Sequence, residues 1–309
     1  MSLTPFTSFT VTALVGLLAA QGSYVPQRVF DSTRGAFTDF EAMLADVAGA
    51  DVIFVGEQHD DVNTHRLELA VLEVLARRRD TVIVSLEMFE RDVREPLDHF
   101  LMGHLAEDEF LKVSRPWPRY RTDYKPLVDF AVSKKWPVVA ANVPRPLASE
   151  ISKGGLGVLD AKTGDDRALF ARELKCPTDD DYFRRFGDAM GDHPAGDKPP
   201  TPAEKRQTTE RFYFAQCVKD ETMAESIAES YSAGAATGPR PVVVHFNGAF
   251  HSDFTTGTAA RAIRRLPGKR VVVITMVPVA TLDGPAPDAA ERRRADYLVY
   301  TIRLSLSVR

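Results

Sequence analysis

The sequence predicts an α/β fold of three layers, a mostly parallel central sheet flanked by helices with one helical and irregular insertion. Two observations carry that expectation. Five short runs, at 51–55, 81–86, 137–141, 241–246 and 270–277, are rich in β-branched residues and continuously apolar rather than alternating, as strands are when both sheet faces are covered. Amphipathic stretches lie between the runs, and strand alternating with helix is the pattern of a parallel sheet with crossover helices.

In chain order, the first strand is followed by a helix at 62–79, with Leu67, Val71 and Leu75 on one face,. Helices at 92–103 and 124–135 bracket the approach to the third strand, and 203–231 is the longest helical pattern. A sixth run at 297–304 alternates more and suits an edge strand,. The segment 152–202 is the least regular, with Gly154-Gly155, Asp179-Asp180-Asp181, and Asp192-His193-Pro194 leading into Pro199-Pro200,. It reads as an insertion or lid with partial helix and a disordered-looking stretch at 191–201. Residues 24–309 are expected to form a single domain,.

Bulk composition narrows the function classes. The chain has 309 residues, 44% apolar, and its 39 basic and 43 acidic side chains leave a formal charge of −4. Such a surface lacks the positive field that draws proteins onto nucleic acid, so a nucleic-acid partner is excluded. The two cysteines, Cys176 and Cys217, fit no Cys-x-x-Cys spacing and read as two buried thiols, with a single bridge as the alternative,. Residues 1–23 form a signal-like segment whose apolar part, 11–20, is too short to span a bilayer; no Lys or Arg precedes it and no lipobox cysteine follows,. The segment points to export, to the periplasm or cell envelope; the alternatives are an apolar segment packed on the domain and a cytoplasmic protein.

The chemistry is expected where the strands end. The first runs into Gly56-Glu57-Gln58-His59-Asp60, the second into Glu87-Met88-Phe89-Glu90, the third into Asn142-Val143-Pro144-Arg145, and the fourth into Asn247-Gly248-Ala249-Phe250-His251. Ligands of open parallel sheets bind outside the carboxyl ends of the strands, so these side chains can meet on one rim. One Gly-x-x-His turn is weak evidence, since Glu57 could be a helix cap and His59 a surface residue. Two such turns, each directly after a buried strand, point to a site. Glu87, between apolar neighbours, needs a cation, and Arg145 is the expected protein partner. His65 lies about a turn and a half beyond His59 on the expected helix and counts as secondary. His245, inside a strand, reads as a satisfied core histidine; His99, His104 and His193 have no supporting neighbours. Trp117, Tyr120 and Tyr124 lie among three arginines and either pack a surface or line a pocket for a flat anionic ligand,.

Together with 215–224, which runs from Ala215 through Asp220 to Ala224, these motifs resemble those of the ChaN-like haem-binding uptake family, over roughly Val29 to Thr301. That family is related in fold to the Tiki, TraB and erythromycin esterase groups. The resemblance implies haem or another small molecule as ligand, an iron-uptake role at the cell envelope with a membrane-associated partner, and a homodimer around stacked haems. The missing lipobox cysteine departs from the family's lipid anchor. Tyr120, Tyr124, Tyr182, Tyr213 and His193 are the candidate haem ligands, because haem iron takes Tyr, His or Met from an apolar wall. The alternative is a metal-dependent hydrolase, peptidase or esterase, with Glu57, His59, Glu87 and His251 as ligands of a divalent ion. In it Arg145 or Asn142 would stabilise the oxyanion. Without metal, His59 or Glu57 would act as base and His251 as acid. The motif also implies that Asp220 orients a site histidine or caps the cavity.

Overall fold

The structure, a computed structural model, describes residues 25–191 and 201–303. The signal-like segment 1–23 and most of the stretch 191–201, His193 included, lie outside the described residues. The described residues form eight strands: β1 (Gln27–Asp31), β2 (Ala36–Thr38), β3 (Val52–Glu57), β4 (Val82–Glu90), β5 (Val138–Asn142), β6 (Val242–Gly248), β7 (Val271–Val279) and β8 (Tyr297–Ile302). The helices of the first half are α1 (Phe40–Val47), α2 (Val62–Leu75), α3 (Arg94–Leu101), α4 (Glu107–Ser114), α5 (Tyr120–Asp123) and α6 (Lys125–Lys134). Those of the second half are α7 (Arg145–Gly154), α8 (Gly164–Ala168), α9 (Asp181–Met190), α10 (Pro202–Thr237) and α11 (Gly257–Arg265).

The strands form one sheet in the order β2-β1-β8-β7-β3-β6-β4-β5. From β8 to β5 every neighbouring pair is parallel, and β1 joins antiparallel to both β8 and β2. The edge position expected for the last strand is therefore wrong: β8 is paired on both sides. The hairpin β1–β2 covers it, too short and too mixed in composition to stand out in sequence.

Both faces of the sheet are covered, as the unbroken apolar runs required. Along β3, Ile53 and Val55 face one core with Leu67, Val71 and Leu75 of α2 and Leu127 and Val128 of α6. Val52 and Phe54 face the other, with Ala224, Ile227 and Tyr231 of α10 and Ala259 and Ala262 of α11. Fully burying each such β3 side chain contributes about 1.5–3 kcal/mol. Local signals set the helix starts. The Asp61 carboxylate accepts from Thr64 N at 2.8 Å to cap α2, and Thr201 and Glu204 form a reciprocal capping box at the head of α10,.

Within the expected insertion, α8 and α9 supply the partial helix. The reading of Cys176 and Cys217 as buried thiols is overturned. The two form a disulfide that ties the irregular segment before α9 to the middle of α10. Nothing in their spacing signals it, because α9 and α10 bring together residues 41 apart in sequence,.

Candidate functional site

Parallel register builds the rim. Glu57, the last residue of β3, stands opposite Gly248, the last of β6, and Leu86 of β4 stands opposite Phe246. With β6 between β3 and β4, the two Gly-x-x-His turns and Glu87 emerge side by side. The glycines serve close approach rather than unusual backbone angles. A Cβ on Gly56 would stand 3.0 Å from the Ala249 Cα, and one on Gly248 2.7 Å from the His59 Nε2,.

Two histidines flank Glu87. On one side, His59 Nδ1 lies 2.5 Å from Glu57 Oε1, which also accepts from the Tyr124 hydroxyl at 2.9 Å. The His59 ring is half exposed and meets Trp117 edge-on at 5.0 Å. On the other side, His251 is buried, with Nδ1 2.6 Å from Asp220 Oδ1 and Nε2 3.2 Å from Glu87 Oε1. The second Glu87 oxygen accepts from the Gly248 amide at 2.7 Å. Asp220 is itself held by the hydroxyls of Tyr182 at 2.7 Å and Thr258 at 2.8 Å, and Gln216 reaches both Tyr182 and His251.

This packing fixes charge states. Burial works against a charged His251, but the Glu87 and Asp220 carboxylates outweigh it and raise its pKa to about 10, so it is an imidazolium at neutral pH,. Burial pushes Glu87 up, yet the His251 and His59 charges hold it far below the carboxylate range. Burial likewise opposes the His59 cation, but the bond to Glu57 and the Glu87 charge raise its pKa. His245, sealed in β6 with Nδ1 on Ser85 Oγ at 2.9 Å, is pushed down by burial to about 3 and stays neutral. It is the core histidine its position suggested.

Several expected roles meet different partners. Arg145 does not pair with Glu87: its Nε lies 2.5 Å from Glu90 Oε1, and Arg115 holds the other Glu90 oxygen at 2.7 Å. Glu87 instead obtains its cation from His251. Both ends of the Asn142 amide are tied to backbone, to Glu87 O at 3.1 Å and Val143 N at 2.8 Å. As arranged, Glu57, His59, Glu87 and His251 do not make a metal cage, because His251 commits both ring nitrogens to carboxylates and His59 commits Nδ1 to Glu57,. Among the described residues, the His/Cys/Asp/Glu group compact enough to share one ion is Glu57, His65 and Glu68.

His65 is more than secondary. His59 precedes α2, so helical spacing between the two does not apply, and His65 Nε2 lies 3.1 Å from the His59 carbonyl. Its Nδ1 lies 2.9 Å from Glu68 Oε2 and 3.6 Å from Glu57 Oε2. Burial, then the Glu57 charge, pushes the Glu68 carboxyl well above the carboxylate range. The His65-x-x-Glu68 spacing on one face of α2 was a signal available in the sequence.

The four described tyrosines proposed as haem ligands are all buried. Tyr124 and Tyr182 give their hydroxyls to Glu57 and Asp220, and Tyr120 and Tyr213 sit inside aromatic clusters. Iron could not reach them without opening the core. A different surface has the right chemistry. Between α7, α9 and α10 lies a groove of about 400 Å³ with Phe186, Met190, Phe212 and Ala215 on its walls, Arg145 and Lys219 alongside, and Gln216 joining it to His251. Apolar walls with adjacent cations fit a flat ring carrying carboxylates, and Met190 contributes a thioether of the kind that ligates haem iron.

The chain resembles known proteins over most of its length. It is 22% identical over 272 residues to Protein RETICULATA-RELATED 5, chloroplastic, of Arabidopsis thaliana, covering 82% of this chain and 35% of that protein. The chain thus spans about a third of the length of the curated relative it matches. Its fold matches the structure titled "Cofacial heme binding to ChaN of Campylobacter jejuni" with a TM-score of 0.62 at 18% identity, over 90% of this chain and 97% of that one. A looser likeness, TM-score 0.45 at 14% identity over 90% of this chain and 83% of the other, is to an erythromycin esterase mutant, EreC, in its open conformation. The family model described as "Haem-binding uptake, Tiki superfamily, ChaN" matches residues 43–262, and on that match the chain belongs to the ChaN family.

Proposed function

We propose that this protein binds haem in the groove between α7, α9 and α10 and carries it in iron uptake at the cell envelope. The groove carries this reading. Its aromatic and thioether walls would take the ring, and Lys219, with Arg145 held beside it by Glu90, would take the carboxylates,. Haem supplies an iron whose reactivity depends on its axial ligand; the chain supplies the thioether of Met190, the apolar cover and the cations. Export is supported by the Cys176–Cys217 bridge, a linkage that persists in oxidising compartments,. No helix among the described residues is long and apolar enough to cross a membrane. Cofacial haem binding by the structural relative from Campylobacter jejuni supports haem as the ligand, and pairing of two copies around stacked haems is part of the proposal.

The test is a haem titration of the purified protein followed by absorbance and light scattering, repeated in Met190→Ala, Lys219→Glu and His59→Ala. A saturable Soret shift at a fixed ratio is expected, weakened by the first two changes and untouched by the third. No saturable shift sinks the haem reading.

A second reading is favoured by the pairing of His59 and His251 across Glu87. In hydrolysis of an ester or peptide, His59 Nε2 would take a proton from water as the water oxygen bonds to the carbonyl carbon. The His251 imidazolium, its Nε2–H turned from Glu87 to the substrate, would then protonate the departing oxygen or nitrogen as its bond to carbon breaks,. Turnover lost in His59→Ala, in a variant that still binds haem, would establish it.

A further inference from the structure

We propose that Glu57, His65 and Glu68 form a binding site for a divalent transition-metal ion behind the His59 turn. It shares only Glu57 with the four-residue set suggested by the motifs. The donor atoms are one imidazole nitrogen and two carboxylate oxygens, all within 4.8 Å of one another and all buried.

The hydrogen bonds of His65 support this assignment. Its Nε2 faces two acceptors that cannot donate, the His59 carbonyl at 3.1 Å and the Asp123 carboxylate at 3.4 Å, so Nε2 carries the proton,. In the neutral ring Nδ1 is then a lone pair, directed at the Glu68 and Glu57 carboxylates. A lone pair facing carboxyl oxygens needs either a proton shared with Glu68 or a metal ion between them, and a divalent ion would take the place of that proton,. A backbone carbonyl or carboxylate holding the distal N–H is how metal-ligating histidines are oriented. Independently, Glu57 Oε2 is buried, has no N–H donor within hydrogen-bond reach, and lies beside the Glu68 carboxyl and 3.6 Å from that nitrogen. Its other oxygen is already taken by His59 and Tyr124. One imidazole and two carboxylates suit zinc, manganese or ferrous iron. A cavity of about 470 Å³ is walled in part by His65 and Asp123, next to the Nε2 side of the ring; Arg119 on its wall is neutralised by Asp123 at 2.8 Å.

An ion here would pin the second oxygen of Glu57 and so hold the first against His59 and Tyr124. The proposal does not depend on haem binding. The experiment strips the full chain with a chelator, adds Zn²⁺ or Co²⁺, and measures metal content, the cobalt d–d absorption and the melting temperature. One equivalent per chain is expected, with a rise in melting temperature of about 4 °C at a hundredfold excess over Kd. The metal should be lost in His65→Ala and Glu68→Gln and kept in His251→Ala. If the wild type takes up no stoichiometric metal and shows no melting shift, the proposal is overturned without reference to the variants' folding. Metal lost in His251→Ala but kept in His65→Ala overturns it equally. Neither result bears on the haem titration.

Discussion

Replacing Asp220 by Asn removes one of the two carboxylates that hold His251 as a cation while preserving the shape of the side chain. The pKa of about 10 for His251, against 6.5 for a free imidazole, corresponds to about 5 kcal/mol at about 1.36 kcal/mol per unit. A raised pKa stabilises the fold fully below the unfolded value, near pH 6.5, and the contribution disappears as pH rises through 10. Asp220 shares the imidazolium with Glu87, so its loss should remove roughly half of that amount. At pH 7 the variant should be less stable by about 2–3 kcal/mol. From pH 7 to 10 the wild type should lose about 3–4 kcal/mol from this group and Asp220→Asn less than half as much. Urea unfolding at unit pH steps reads this directly, and comparing the two proteins cancels the lysines and tyrosines that titrate in the same range. Parallel stability curves would refute the reasoning, because they would mean that Asp220 and His251 exchange no charge energy.

Three further perturbations test separate parts of the site. Gly248→Ala places a methyl 2.7 Å from His59 Nε2; the half-exposed ring should swing out for less than about 1 kcal/mol, and its pKa by histidine NMR should fall back toward the free value. An unchanged titration would show that the two turns do not touch. Gly257→Ala forces a side chain onto a φ of +51° with its Cβ 2.6 Å from the His251 carbonyl, so melting should report a loss of about 2 kcal/mol or more,. Reducing the Cys176–Cys217 bridge, which closes a sequence separation of 41, should cost about 4 kcal/mol by loop entropy,; a reduced protein with unchanged unfolding would show that the covalent link adds nothing to the packing of α9 on α10.

What the sequence by itself determined was the layered fold and the rim. Unbroken apolar runs demand a doubly covered sheet, and polar residues after each run must then gather at one edge. The strands end at Glu57, Glu90, Asn142 and Gly248, each within the polar motif its run led into. Side-chain partners were decided only in three dimensions. Arg145 could be assigned to Glu87 from sequence, yet Glu90, three residues on, receives it, because the end of β4 turns Glu87 toward β6 and Glu90 toward α7. The tyrosines read as iron ligands are instead hydroxyl donors to Glu57 and Asp220 or members of the aromatic core, since burial depends on which helices cover them. The pairing of β1 with β8 and the Cys176–Cys217 disulfide share one cause. Each joins short or unremarkable stretches whose proximity is created by packing, a long-range property that local periodicity and spacing do not encode.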